Sequence, residues 1–379
     1  MLSNSPVTPP LRILVTGAAG LVGQALCGAL AARGHAVAGL LRRKGPAAGN
    51  DAVSPSATGW LASGTVALFD GDVAEPGLGM VTSVQTRLAA ELDLVIHCAA
   101  VTAFNLPAET YRRVNVGGTA QVLDFTAGPR PIALLHVSTA YVCGMVDGVV
   151  AEAPVMPGPF NNGYEASKAG GEDLVLAAHR AGRVAAIARP SVVVGRWADG
   201  ATSSFGTIYQ AIRLLAEGRL RVLPVAPDAS LDLVPIDYVI DGLADIAERM
   251  AEANGCIFHL ASGRPVPIAA LRRLAAAFPQ LHSPRLVLPE QFDLASLDKR
   301  ERWLHEQVVA PCAAYLRPSP QFVTANLPVL SQRHCPPLDD AFLRRMIAFA
   351  VSAGFLPSER LSVYPDSGGP NHAADPPPN

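Results

Sequence analysis

A glycine-rich stretch near the start of the chain constrains the fold more than any other feature. Residues 11–30 read LRILVTGAAGLVGQALCGAL, in which a short apolar run ends at Gly17 and a helical pattern follows. Gly17, Gly20 and Gly23 have the spacing G-x-x-G-x-x-G, which lets the backbone turn tightly and bring its N–H groups close to a pyrophosphate. The stretch predicts a strand, a glycine turn and a helix with a dinucleotide as ligand. Glycines that serve packing alone are the alternative for this stretch by itself.

Apolar runs and helical patterns alternate through the rest of the first two-thirds of the chain. This order favours parallel strands joined by right-handed crossovers. It predicts an α/β fold with a doubly wound parallel, Rossmann-type sheet and a smaller, mainly helical C-terminal substrate domain. The expected parts are a flexible leader at 1–10, an NAD(P)-binding domain at 11–265 in which parts of 196–235 line the substrate cleft, a helical C-terminal region at 266–360 and a disordered tail at 361–379.

The end of the second predicted strand bears on the choice of cofactor. An acidic residue at this point of a dinucleotide-binding fold bonds the adenosine ribose, whereas arginines hold a 2′-phosphate. The chain has Arg42 and Arg43 there and no acidic residue. We therefore expect NADP as the cofactor, with NAD as the alternative if the two arginines only form a solvated strand end.

Further cofactor contacts are expected at the carboxyl ends of the predicted strands. The complete predicted cofactor set is Gly17, Ala19, Gly20, Leu21, Val22, Gly23, Arg42, Arg43, Asp72, Val73, Ala99, Ala100, Asn115, Lys168, Pro190 and Val192. Two members have plain alternatives. Asp72 accepts a bond from the adenine amino group or is a solvated turn residue, and Asn115 holds the active-site helix or a water, or only caps or kinks a helix.

Three residues further along form the catalytic hypothesis. Tyr164 and Lys168 are four positions apart, so on a helix the phenol and the ammonium lie on one face. The ammonium is expected to lower the pKa of the phenol, which then donates a proton to a substrate oxygen. Thr139, at the end of a predicted central strand, is expected to polarise the same oxygen. A Tyr/Lys pair of this spacing is common by chance, and its position after the glycine motif supports the catalytic interpretation.

Composition excludes several other classes of protein. Half of the 379 residues are hydrophobic, 16% are charged and the net charge is −2, so we expect no nucleic-acid partner. The six cysteines lack C-x-x-C spacing and predict reduced thiols in a cytoplasmic protein. No run of about 18 apolar residues predicts a membrane span.

His305 and His334 lack metal-ligand spacing, so no metal is expected. Arg213, Arg219 and Arg221 form a solvated basic face or meet a substrate phosphate.

These motifs together resemble the extended short-chain dehydrogenase/reductase superfamily over about residues 11–265. The segments GDVAEPGLG at 71–79, HCAA at 97–100, VNVGGT at 114–119, HVSTAYV at 136–142 and LVPIDYV at 233–239 are similar to the thioester reductase and fatty acyl-CoA reductase branch. The resemblance implies NADPH-dependent reduction of an acyl thioester to an aldehyde or alcohol, with Thr139, Tyr164 and Lys168 as the catalytic set. Without an attached adenylation or carrier domain, the expected donor is a CoA ester or a separate carrier protein.

Two other functions stay open from the sequence. The same catalytic residues suit a ketone reductase or alcohol dehydrogenase that acts on a secondary metabolite, a steroid-like molecule or a sugar. An NADP-binding regulator without turnover is a third hypothesis, and the intact Thr/Tyr/Lys set argues against it. The substrate, its chain length and the oligomeric state, including a homodimer, are not determined by these patterns.

Overall fold

The computed structural model describes residues 9–42, 62–156 and 158–359. Its strands are β1 (Arg12–Thr16), β2 (Ala36–Leu41), β3 (Val66–Asp70), β4 (Leu94–His97), β5 (Ala133–Val137), β6 (Val149–Val150), β7 (Ala185–Pro190), β8 (Val192–Val194), β9 (Val222–Pro224), β10 (Ser230–Leu231), β11 (Leu233–Pro235), β12 (Ile257–Leu260), β13 (Val266–Pro267), β14 (Arg285–Val287) and β15 (Gln321–Phe322). Its helices are α1 (Leu21–Ala32), α2 (Thr82–Glu91), α3 (Ala108–Tyr111), α4 (Gly118–Thr126), α5 (Gly163–Arg180), α6 (Thr207–Ala216), α7 (Ile236–Glu248), α8 (Met250–Ala253), α9 (Ile268–Ala275), α10 (Lys299–Leu304), α11 (Asn326–Ser331) and α12 (Asp340–Ser352).

Seven of these strands form one parallel sheet. Its order is β12-β7-β5-β4-β1-β2-β3, so the strand order reverses between β1 and β4. The central strands are apolar on both sides, and β4 is buried along its whole length, as expected for a sheet covered by helices on two faces. The predicted doubly wound parallel sheet is therefore confirmed. Ligands of such sheets bind at this reversal, beyond the carboxyl ends of the strands.

The sequence predicts one strand over 184–194, whereas the structure has two strands there. β7 ends at Pro190, and β8 starts at Val192 and pairs with β11 in a separate two-stranded sheet. Ser191, between the two, donates its hydroxyl proton to Asp232 Oδ1 at 2.6 Å and thereby turns the chain. The large sheet gains its seventh strand from β12 instead.

The C-terminal segments are mainly helical and return to earlier parts of the chain. β14 pairs with β9 and β15 pairs with β6, both in parallel, so this region is joined to the rest by backbone hydrogen bonds. Its core is built from α6, α9 and α12, which pack through residues such as Phe342, Leu343 and Met346. Among the described residues, no helix is long and apolar enough to cross a membrane.

Candidate active site

The glycine turn lies at the point where the strand order reverses. Gly17 has a φ of +70°, and a Cβ at this position would lie 2.8 Å from the Ala99 backbone. A Cβ on Gly23 would lie 2.3 Å from the carbonyl oxygen of Gly17, so α1 packs against the turn only because this residue is a glycine. Ala19 and Gly20 are exposed just before the helix. The turn leaves room and N–H groups for a pyrophosphate, and its residues fit a dinucleotide.

The other predicted cofactor contacts near the glycine turn differ in how far they are exposed. Leu21 and Val22 in the first turn of α1 are half-buried, as are Ala99 and Ala100 after β4. Arg42 is exposed directly after β2, at the edge where a 2′-phosphate would lie, and the prediction for Arg43 lies outside the described residues. Their part in cofactor binding stays a prediction.

The Gly-Asp segment that carries the family resemblance forms a compact turn after β3. Asp72 accepts a hydrogen bond from Ala74 N at 2.9 Å and its own N–H donates to Leu78 O at 2.8 Å. Leu78 has a φ of +59° and is fully buried, and a Cβ on Gly71 would lie 2.4 Å from its carbonyl oxygen. Val73 is buried as well. The segment thus has a structural role of its own, beside any contact that Asp72 and Val73 make to a cofactor.

Tyr164 lies in the first turn of α5, which Asn162 caps by accepting a hydrogen bond from Glu165 N at 3.0 Å. Thr139 lies two residues after the end of β5 and directly before the short 3-10 helix Ala140–Cys143. Burial raises the pKa of Tyr164 to about 12, and a hydrogen bond with Thr139 acts in the opposite direction. The hydroxyl groups of the predicted acid and the predicted polarising residue are therefore in contact.

Lys168 follows one turn later on α5 and is only 2% exposed. Burial lowers its pKa to about 8, while the negative charge of Glu172 opposes this effect. Its Nζ lies 3.5 Å from Nε2 of His136. The expected lowering of the phenol pKa by this ammonium does not appear in the structure, because burial dominates at Tyr164 and raises its pKa.

Asn115 resolves one of the alternatives that the sequence left open. It lies in a π-helical turn, Arg112–Gly117, and is 1% exposed. Its side chain accepts from Val101 N at 2.8 Å and donates to Val101 O at 3.0 Å and to Ser167 Oγ at 2.8 Å. These bonds tie the loop after β4 to α5, which supports the role of holding the active-site helix.

An aromatic wall lies beside Tyr164, and the sequence analysis did not find it. Phe104 stacks on Tyr315 with ring centroids 5.4 Å apart and lies 6.1 Å from the ring of Tyr164. Tyr315 donates its hydroxyl proton to Glu165 Oε1 at 2.7 Å, across 150 residues of sequence. The wall borders a cleft of about 590 Å³, which Tyr141 and Asn161 also line.

Further residues that the sequence analysis did not single out lie beneath the site. Glu172 and Arg189 form a fully buried ion pair with two hydrogen bonds of 2.6 and 2.9 Å. His97 and His136 are also fully buried. The sequence signal available for His97 and His136 was a polar residue inside each of two apolar strands. Pro190 is buried at the end of β7, and Val192 is half-buried at the start of β8 in the separate two-stranded sheet.

The C-terminal region encloses a second, separate space. It is an apolar cavity with about 1060 Å³ of empty volume, including its open mouth, and α6, α9 and α12 contribute to its walls. Arg213, Arg219 and Arg221 near it have carboxylate partners, at 2.7 Å from Glu217, 3.4 Å from Glu217 and 2.8 Å from Glu301. This pairing favours the solvated basic face over a phosphate site. No group of three or more potential metal ligands occurs within 9–42, 62–156 and 158–359.

The parallel sheet, the glycine turn and the Thr/Tyr/Lys set define an NAD(P)-dependent oxidoreductase of the extended short-chain dehydrogenase/reductase type. Residues 15–243 match the NAD-binding family described as male sterility protein. The chain belongs to this family.

Individual proteins give a finer comparison. The fold is similar to the crystal structure of the terminal R domain from the myxalamid PKS-NRPS biosynthetic pathway, with 25% identity, a TM-score of 0.76 and coverage of 93% of this chain and 94% of that one. A ketoreductase of Stigmatella aurantiaca that acts on 4-hydroxy-2-methyl-3-oxo-4-farnesyl-3,4-dihydroquinoline-1-oxide is 31% identical over 70% of this chain and 72% of its own. A probable fatty acyl-CoA reductase of Arabidopsis thaliana is 23% identical over 52% of this chain. The chain spans 51% of that reductase and 18% and 6% of two other curated relatives.

Proposed function

We propose that the protein reduces an acyl thioester, held on CoA or on a carrier protein, to an aldehyde or alcohol with NADPH. The observation that carries the proposal is the likeness to the terminal R domain over nearly the whole of both chains, together with the contact between Thr139 and Tyr164. The fatty acyl-CoA reductase among the relatives supports the same reaction class.

The residues of the site have distinct parts in this reaction. The nicotinamide cofactor, when bound, supplies the hydride. Thr139 and Tyr164 bond the carbonyl oxygen of the substrate, and Tyr164 gives its proton to that oxygen as negative charge develops there. Lys168 supplies positive charge beneath the phenol and orients the cofactor ribose. Collapse of the resulting hemithioacetal expels the thiol and forms the aldehyde.

The location of the acyl group follows from the polarity of the two spaces. The cleft beside Tyr141 and Tyr315 has polar groups for the thioester and its carrier arm. The apolar cavity offers no comparable polar lining, and its volume suits a hydrocarbon chain. We assign the acyl chain to this cavity.

The cofactor preference is part of the proposal. The exposed position of Arg42 directly after β2 supports NADPH over NADH, because a guanidinium pairs well with a phosphate. Faster oxidation of NADH than of NADPH by the unaltered protein would contradict it. The six cysteines are all free, which supports the expected cytoplasmic setting.

A ketone reductase is the second candidate, and the Stigmatella aurantiaca ketoreductase favours it specifically. Both reactions use the same hydride and the same proton donor, so the catalytic residues do not separate them. A panel of acyl-CoAs and ketones in an NADPH-oxidation assay does. Turnover of acyl-CoAs with aldehyde or alcohol as product supports the thioester reductase, whereas turnover of ketones alone supports the second candidate.

A further inference from the structure

Two buried histidines lie side by side directly beneath the catalytic lysine. His97 on β4 and His136 on β5 are register partners in the parallel sheet, and their ring centroids are 5.4 Å apart. Both side chains have no exposed surface. One nitrogen of each ring, His97 Nε2 and His136 Nδ1, is buried without a hydrogen-bond partner in the part of the chain that the structure describes. Unpaired buried polar atoms are costly, so these rings need an explanation beyond packing.

The contact with Lys168 fixes which nitrogen of His136 accepts a hydrogen bond. An ammonium group only donates, so the His136 Nε2 atom that faces Lys168 Nζ at 3.5 Å accepts through its lone pair. Thr16 Oγ1 accepts from Ala99 N at 3.3 Å and shares a hydrogen bond of 2.8 Å with His97 Nδ1. Burial keeps both imidazoles neutral, because it lowers the pKa of His97 to about 3 and that of His136 well below its ordinary value.

Other groups around the lysine are bound elsewhere or neutral, which leaves His136 as its acceptor among the described residues. Glu172 on the same helix is committed to Arg189 through two short hydrogen bonds. Cys98 has its pKa raised to about 12 by burial and stays neutral, as does the Tyr164 phenol at neutral pH. The remaining charged influence on Lys168 is the field of Glu172, and His136 supplies the directed contact.

Helix α5 has a glycine, Gly171, at the position where it faces the His136 ring. A Cβ on Gly171 would lie 3.4 Å from His136 Nε2 and 3.1 Å from Thr119 Oγ1. The first distance is an ordinary van der Waals contact with the imidazole, and the second is a tight approach to Thr119. Gly171 is one turn from Lys168 on α5, so both residues face the His136 ring.

We propose that His136 is a positioning residue that holds the Lys168 ammonium by accepting its hydrogen bond at Nε2, with His97 packed behind the imidazole. The catalytic part of this claim rests on the proposed function, whereas the contact itself does not. Loss of the acceptor disfavours the charged form of the lysine, so the lysine pKa falls further. Because activity requires the ammonium, the alkaline limb of the pH profile then moves to lower pH.

The chain offers a direct readout, since its lysines are Lys44, Lys168 and Lys299. NMR of isotope-labelled lysine, with Lys44→Arg and Lys299→Arg for assignment, follows the titration of Lys168 without any substrate. We expect His136→Leu to lower the Lys168 pKa from about 8 by about one pH unit or more. Turnover at pH 7 falls about twofold or more, because about half of the lysine is uncharged once its pKa reaches 7, and the alkaline limb moves with the titration.

Two matched comparisons separate positioning from packing. His136→Gln places an oxygen near the Nε2 position and restores the pKa of Lys168, whereas the shorter side chain of His136→Asn does not. These two variants decide the matter if the leucine variant does not fold. His305→Leu removes another buried histidine with an unpaired nitrogen and leaves Lys168 unchanged. Equal Lys168 titrations in the unaltered, leucine and asparagine proteins would overturn the proposal. A shifted titration in a protein that reduces no thioester would retain the contact and reject the proposed function.

Discussion

Two ion pairs, one in each of two regions of the molecule, differ in how far they are exposed to water. In the sheet region, formed by the seven-stranded sheet with α1–α5, Glu172 and Arg189 are enclosed at no more than 2% exposure. In the cavity region, formed by α6, α9, α12 and the segments around them, Arg213 pairs with Glu217 while its side chain is 46% exposed. A buried pair is held by fixed geometry, whereas an exposed pair is screened by water. The sheet region is therefore suited to chemistry that needs fixed groups, and the cavity region to accommodating an apolar chain.

The largest expected effect breaks the buried pair. Arg189→Met leaves Glu172 charged and uncompensated inside the protein, and we expect the free energy of unfolding to fall by about 3 to 5 kcal/mol. Arg213→Met in the cavity region is the matched control, with a loss below about 1 kcal/mol. Urea unfolding of both variants measures the difference. Equal losses would remove the contrast between the two regions.

The second prediction separates chemistry from the aromatic wall. Tyr164→Phe removes the proton donor, and we expect turnover to fall by a factor on the order of 10² or more while cofactor binding is kept. Tyr315→Phe keeps the ring stacked on Phe104 and loses the hydroxyl bonds to Glu165 and Asn162, so its turnover changes a few-fold. Steady-state kinetics with a cofactor-binding titration tests both. Near-full activity of Tyr164→Phe would refute the assigned mechanism.

The third prediction concerns the edge of the sheet region. Replacing Arg42 and Arg43 by Ala removes the side chains expected to pair with the 2′-phosphate, and one such contact is worth about 1.5 to 3 kcal/mol. We expect the preference for NADPH over NADH to shrink tenfold or more. Affinities for the two cofactors measured side by side test this, and equal weakening of both would contradict the phosphate contact.

The smallest expected effect tests the cavity. Ala211→Phe places a ring in the apolar space and displaces part of an acyl chain, and each displaced methylene costs about 0.8 kcal/mol, or about fourfold in kcat/KM. The loss should appear with long acyl chains and not with short ones. Gln210→Phe, on the exposed side of the same helix, is the control. The same loss for short and long chains would place the acyl group elsewhere.

The two regions also differ in how far the sequence predicted them. Apolar runs and the spacing of Gly17, Gly20 and Gly23 predicted the central sheet and its glycine turn, because these patterns act over a few residues. The bond between Tyr315 and Glu165 joins residues 150 positions apart, and no local pattern encodes it. The break at Ser191 depends in the same way on the distant Asp232.

Polar residues inside apolar strands were the hardest part of the site to predict. His97 and His136 look like isolated interruptions of buried strands, and only the register of β4 against β5 brings them together. Asn115 allowed several roles until its bonds to Val101 and Ser167 were known. Tyr164 and Lys168 were easier to predict, because their spacing of four residues places them on one face of a helix. Their assignment as catalytic residues remains a prediction.

Release of free thiol tests the central claim most directly, since it separates a thioester reductase from a ketone reductase that has the same site. With NADPH and a medium- or long-chain acyl-CoA, or the matching acyl carrier protein, we expect thiol to appear in step with NADPH consumption. Lys168→Ala should abolish both signals. Steady NADPH consumption on a ketone, with no thiol released from any acyl donor tested, would contradict the claim.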